Sequence, residues 1–187
     1  DGEENAMKRA LLVIDVQNEY FTGKLPVWNS DRSLGNILQA MDVAREKAVP
    51  VAVIRHADPE ENAAIFRKGS PEWELHPEIA KRPYDVLIDK QWPGSFTDTG
   101  LENWLRRQGV TTVTICGYMT HGCCDTTARQ AFHLGFSVEF LADGTGTVPL
   151  NNEWGEISAE NLHQTVLTVQ AARFSKVLNT SDWIAGL

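Results

Sequence analysis

Two kinds of apolar pattern alternate along the chain. Runs that are apolar on both faces and rich in β-branched residues occur at 10–16 (ALLVIDV), 49–55 (VPVAVIR), 84–89 (YDVLID), 110–117 (VTTVTICG), 136–143 (FSVEFLAD) and 174–179 (FSKVLN). Strands of that kind belong to a parallel sheet covered on both sides. Between them, apolar residues recur at helical spacing over 33–48, 99–109, 124–135 and 158–172. Strands alternating with helices, joined by right-handed crossovers, predict an α/β protein. The expected architecture is a three-layer α/β/α sandwich on a mainly parallel, Rossmann-like sheet of about six strands. Gly109 and Gly135 stand where helix-ending glycines are expected.

Two stretches interrupt the alternation. Residues 56–83 are long, polar and proline-bearing, yet carry histidine, phenylalanine and tryptophan that a solvated linker does not need. Long loops in compact domains are usually functional. A second irregular stretch, 144–156, follows the fifth predicted strand. In open parallel sheets ligands bind beyond the carboxyl ends of the strands. That rule selects Asp15 after the first strand, His56 after the second and Lys90 after the third. It also selects the turn from Tyr118 to Cys123 after the fourth, and Asp143 at the end of the fifth.

Composition narrows the partners. A length of 187 residues suits one domain, expected over 7–187, with residues 1–6 (DGEENA) read as a leader before Met7. A formal charge of −8 disfavours general affinity for nucleic acid or anionic lipid, leaving a small-molecule substrate as the expected ligand. No apolar run approaches a membrane span and no basic-then-apolar signal segment opens the chain, so a cytoplasmic location is expected. Cys116, Cys123 and Cys124 cannot all pair, which fits a reduced compartment. No second Cys or His pair lies at zinc-site spacing, so neither a metal nor another cofactor is expected.

The vicinal cysteines carry the sharpest question. Cys123 lies at a predicted helix start, where free N–H groups and the helix dipole favour a thiolate. Cys124, about 100° further round the helix, is expected to face the interior, and Cys116 sits mid-strand. Asp15 ends a wholly apolar strand and needs a cation or a proton there. Lys90 follows a buried strand beside Trp92 and Phe96. Together they read as a Cys-Asp-Lys site: the carboxylate shuttles the thiol proton, while the ammonium stabilises the thiolate and keeps Asp15 charged. The turn GYMT, 117–120, offers N–H groups to an oxyanion.

Three ordered motifs, LLVIDVQNEYF with Asp15, DVLIDKQWPGSF with Lys90 and VTICGYMTHGCCDTTARQAFHLGF with Cys123, resemble the isochorismatase-like cysteine hydrolase superfamily. That superfamily includes nicotinamidases, N-carbamoylsarcosine amidases, ureidoacrylate amidases and isochorismatases. The resemblance runs from about 9 to 180 and implies that Cys123 is the nucleophile. It further implies a cis peptide between Tyr118 and Met119, with the Met119 and Cys123 N–H groups forming the oxyanion hole. Residues His56, Asp58 and His76 do not reproduce the metal-binding Asp-x-His spacing of nicotinamidases.

The resemblance implies a metal-independent hydrolase of a small amide or carbamoyl C–N bond, acting through a thioester. Isochorismatase-type vinyl-ether hydrolysis, or a catalytically idle binding or assembly member, remains open at this point. The candidate pocket residues are Gln17, Phe21, His56, Trp73, Trp92, Phe96, Tyr118, His121 and Trp154, with Gln17 and His121 also candidates to brace Asp15 and Lys90. A homodimer or homotetramer is expected from the resemblance. Trp154, Trp183 and Ile184, if exposed, supply a physical reason for it.

Overall fold

The computed structural model describes residues 7–187; the expected leader lies outside them. Six strands form one parallel sheet: β1 (Arg9–Ile14), β2 (Val51–His56), β3 (Val86–Lys90), β4 (Thr112–Tyr118), β5 (Ser137–Gly146) and β8 (Lys176–Leu178), in the order β3-β2-β1-β4-β5-β8. Both faces are covered, as the continuous apolar runs require. Leu12, Ile14 and Ile115 pack on one face with α3 (Leu101–Arg107) and α4 (Asp125–His133). Leu11, Val13 and Leu141 pack on the other with α1 (Ser30–Glu46) and α6 (Thr180–Ala185). The predicted three-layer α/β/α sandwich is the observed fold. Among the described residues no helix is long and apolar enough to cross a membrane.

Strand order sets where a site can form. From β1 the chain builds outward through β2 to β3, then crosses back to place β4 on the other side of β1. The crevice between the carboxyl ends of β1 and β4 is thus the switch point of the sheet, the usual ligand position in such folds. Gly117 makes the two strands meet there: its φ is +114, and a Cβ would lie 2.0 Å from the Ile14 carbonyl oxygen. Any side chain at 117 would force β1 and β4 apart beside Asp15.

Several short elements depart from the sequence reading. The stretch 144–156 is not wholly irregular: β5 continues to Gly146, and β6 (Leu150–Asn152) pairs antiparallel with β7 (Gly155–Ile157) as a small hairpin. The long loop contains the single-turn α2 (Pro77–Ala80), capped by the His76 ring. The tail forms α6 and buries Trp183 to 1% exposure. Its Nε1 donates to Thr114 Oγ1 at 3.0 Å and to Glu139 Oε1 at 3.2 Å. Trp183 therefore needs no second copy to cover it, contrary to expectation. Asp143 also leaves the expected rim set: its Oδ1 accepts from the N–H and hydroxyl of Thr180 at 2.8 and 2.7 Å and anchors the start of α6. The helix over 158–172 is present as α5 (Ala159–Arg173), opened by the Ser158 cap.

Candidate active site

Asp15, Lys90 and Cys123 come together at the switch point. Asp15 follows β1 with φ +54, a left-handed conformation that Asp and Asn tolerate better than most residues. Lys90 is the last residue of β3, in register with His56 on β2. Since β3 lies two strand spacings, about 10 Å, from β1, the long stem of a lysine is what carries a cation across β2. The ammonium stands 3.0 Å from Asp15 Oδ2, both side chains being 0% exposed. It also lies 3.2 Å from Cys123 Sγ, 3.0 Å from His56 Nδ1 and 3.0 Å from the Trp92 carbonyl oxygen. Among the described residues no backbone N–H donates to the Asp15 carboxylate, so the buried Lys90 ammonium is what meets its charge.

Cys123 belongs to a wide helical turn, Thr120–Cys124, broken at Gly122, and α4 begins only at Asp125. The Tyr118–Met119 peptide is cis. The Met119 carbonyl accepts from the Gly122 and Cys124 N–H groups, closing the turn. Cys124 is fully buried with Ala128 and Ile115, as its helical phase requires, and Cys116 is buried mid-strand. Thr120 on the turn is tied to α5 through His163, at 2.7 Å from Nδ1, while His163 Nε2 donates to the Ala142 carbonyl at 2.9 Å.

Electrostatics at this point modify the thiolate expectation. Burial pushes the Cys123 thiol pKa up; Asp15 pushes it further, and Lys90 opposes. The balance favours a thiol at rest over a preformed thiolate. Burial works against the charge of Lys90, but Asp15 and Cys123 outweigh it, and its pKa is raised. His56 is lowered, first by burial and then by Lys90, against the opposing pull of Asp15 and Asp58. Its ring is neutral at pH 7. One group of three side chains with metal-ligating atoms lies close together among the described residues, Asp15, His56 and Cys123, within 4.8 Å of one another. The Lys90 ammonium touches all three and already supplies the cation.

The expected pocket residues separate into distinct roles. A cavity of about 320 Å³ next to Lys90, whose lining includes neither Asp15 nor Cys123, is walled by Trp73 and Trp92 together with Lys68, Thr97 and Asp98. Those last three escaped the sequence reading, because nothing in polar loop positions marks which ones face inward. Gln17 is a brace: its Nε2 donates to the His56 and Trp73 carbonyls at 2.8 and 2.7 Å, and its Oε1 accepts from the His56 N–H at 2.9 Å. No donor remains for substrate. The Tyr118 ring is fully buried against Tyr20, with its hydroxyl 2.8 Å from Ser33 Oγ, so it is core rather than pocket wall. Phe21 packs edge-on against Tyr118 and His76. Phe96 stacks on Phe136 and lies on the α4 side, away from the cavity beside Lys90. His121 holds Thr147 through Nδ1 at 2.6 Å. Trp154, at the tip of the hairpin, is 91% exposed and lines none of this cavity.

Comparison with known proteins finds relatives in both sequence and fold. The isochorismatase domain model matches residues 9–182. Nicotinamidase 3 of Arabidopsis thaliana is 34% identical over 172 residues, covering 86% of this chain and 83% of that protein. A solved structure from Burkholderia xenovorans superposes with a TM-score of 0.94 at 44% identity, covering 96% of this chain and 87% of that one. A cysteine hydrolase from Pseudomonas syringae pv. phaseolicola superposes with a TM-score of 0.89 at 27% identity, covering 95% and 91%.

Proposed function

The chain belongs to the isochorismatase family, and from that premise we propose that it is a metal-independent cysteine hydrolase cleaving a small amide or carbamoyl C–N bond. The observation that carries the reading is the buried Lys90 ammonium, in contact with both Asp15 Oδ2 and Cys123 Sγ. A carboxylate and a thiol gathered around one ammonium are a base placed against its acid. In the proposed reaction Asp15 takes the thiol proton as Sγ bonds to the substrate carbonyl carbon. Lys90 stays charged and offsets the negative charge as it leaves the Asp15 carboxylate for the substrate oxygen and returns. The N–H groups of Met119 and Cys123 receive the oxyanion. Collapse breaks the C–N bond, Asp15 returns the proton to the departing nitrogen, and a thioester remains on Cys123. Water then attacks that thioester with Asp15 again as base, restoring the thiol and releasing the acid.

Two named relatives support this class in their own right, one called a nicotinamidase and the other a cysteine hydrolase. A cavity of about 320 Å³ adjoins Lys90 between Trp73 and Trp92, and although neither Asp15 nor Cys123 lines it, its size suits a small compound. A turnover screen over small primary amides and carbamoyl compounds, run beside Cys123→Ala, tests the reading. Turnover lost in Cys123→Ala supports it. Turnover that survives loss of the thiol but not of Asp15 would favour vinyl-ether hydrolysis instead, and no turnover on any compound would favour a binding role.

A further inference from the structure

Lys90 has three N–H bonds and four close neighbours. Three of the neighbours meet hydrogen-bond geometry: His56 Nδ1, the Trp92 carbonyl and Cys123 Sγ. The fourth, Asp15 Oδ2, is as close at 3.0 Å and carries the opposite charge, so four acceptors compete for three donors. Each ammonium proton taken by a neutral acceptor is one that the carboxylate does not hold. A carboxylate that accepts hydrogen bonds holds its charged form more firmly and is a weaker base. Which acceptors surround Lys90 thus decides how readily Asp15 takes a proton.

We propose that His56 is a positioning residue for the reaction, which by accepting one ammonium proton on Nδ1 keeps that proton from Asp15 and preserves the carboxylate as a base. The proposal rests on the cysteine-hydrolase reading above. The surroundings of His56 are built for it. A charged lysine can only donate, so Nδ1 is unprotonated and the single ring proton sits on Nε2. Gln17, fully buried, holds the His56 backbone from both sides by taking its N–H and donating to its carbonyl. The Phe66 ring meets the imidazole edge-on with centroids 5.2 Å apart, fixing the ring plane. The charged and titratable groups facing it are Lys90 from β3, Asp15 after β1, Cys123 from the turn and Asp58 in its own loop. Burial and the lysine together keep the ring neutral.

The test uses 4-nitrophenyl acetate as an acylating probe, following the burst of nitrophenolate from the full chain carrying His56→Phe or His56→Asn. Phenylalanine keeps an aromatic ring against Phe66 but has no acceptor, while asparagine returns an amide oxygen near the Nδ1 position. The burst rate at saturating probe is expected to fall roughly tenfold in His56→Phe, the effect of one hydrogen bond gained by the carboxylate. KM should change little, and His56→Asn should recover most of the rate. Wild-type rates in His56→Phe, or equal losses in both variants, would overturn the role. Side-chain ¹⁵N NMR of the unsubstituted protein gives a check independent of folding in the variants. It should show a neutral ring protonated on Nε2 at pH 7, and a proton on Nδ1 would overturn the assignment. The Cys123→Ala control separates the two claims: a burst persisting there would sink the cysteine-hydrolase reading itself, whatever His56 does.

Discussion

Replacing Asp15 with asparagine should destroy catalysis in a chain that still folds. Asparagine is the substitution the backbone permits, since it tolerates the left-handed conformation at φ +54 nearly as well as aspartate. The amide cannot accept the thiol proton, so acylation should fall by about 10²–10⁴, equivalent to about 2.7–5.4 kcal/mol of barrier. Stability responds to opposing terms. At 3.0 Å the pair with Lys90 is worth about 5–6 kcal/mol at an effective dielectric constant of about 20. Burying the Asp15 charge costs several kcal/mol, which the variant no longer incurs. Lys90 also keeps its three hydrogen bonds to His56, Trp92 and Cys123. Because the Lys90 ammonium stays buried without its counter-charge, the net change is expected as a loss of about 3–5 kcal/mol, which for a chain of this size is a Tm drop of about 6–20 °C. Because Asp15 raises the Lys90 pKa, the pairing acts fully at neutral pH and is lost only as pH rises through that elevated value. A comparison at pH 7 therefore measures it whole. The assay is a pre-steady-state burst beside a thermal melt. A folded variant acylating within about threefold of the parent protein, far short of a lost general base, would refute Asp15 as the base and turn attention to His121.

Iodoacetamide should modify Cys123 alone, because Cys116 and Cys124 are fully buried. With its pKa raised by burial and Asp15, the labelling rate of Cys123 should climb with pH through the alkaline range; peptide mapping that finds Cys124, or a rate already level below pH 7, would contradict this. Dialysis against a chelator should leave turnover unchanged, since Lys90 supplies the cation among Asp15, His56 and Cys123; activity lost and then restored by zinc, iron or manganese would be the opposing result. The hairpin tip with Trp154, 91% exposed, should be covered by a second copy of the chain. Light scattering should then give a mass that is a multiple of 20.8 kDa, and a monomer across micromolar concentrations would show otherwise.

Much of the fold was legible because its strands are buried on both faces. The runs at 10–16, 110–117 and 136–143 stand out against any helical period, and they became β1, β4 and β5. Asp15 and Lys90 were legible for a related reason: a charge at the end of an apolar strand calls for compensation. Short elements were not legible. The hairpin and α6 each present too few residues to show a period, and the apolar tail concealed a helix that buries Trp183 between Thr114 and Glu139. The bracing function of Gln17 was equally out of reach in one dimension. It depends on two carbonyls and an N–H contributed by His56 and Trp73, 39 and 56 positions away. The reduced pull of Lys90 on the thiol, against burial and Asp15, likewise follows from packing that residue order does not display.

The central claim is that Cys123 forms a thioester during turnover, and intact-mass spectrometry of the protein quenched in acid during turnover of an amide or activated ester tests it most directly. The account predicts a mass increase equal to the acyl group, located on Cys123 by peptide mapping, absent from Cys123→Ala and accumulating far more slowly in Asp15→Asn. Steady turnover with no adduct on Cys123 in a quench fast enough to trap acylation, and with Cys123→Ala equally active, would contradict it.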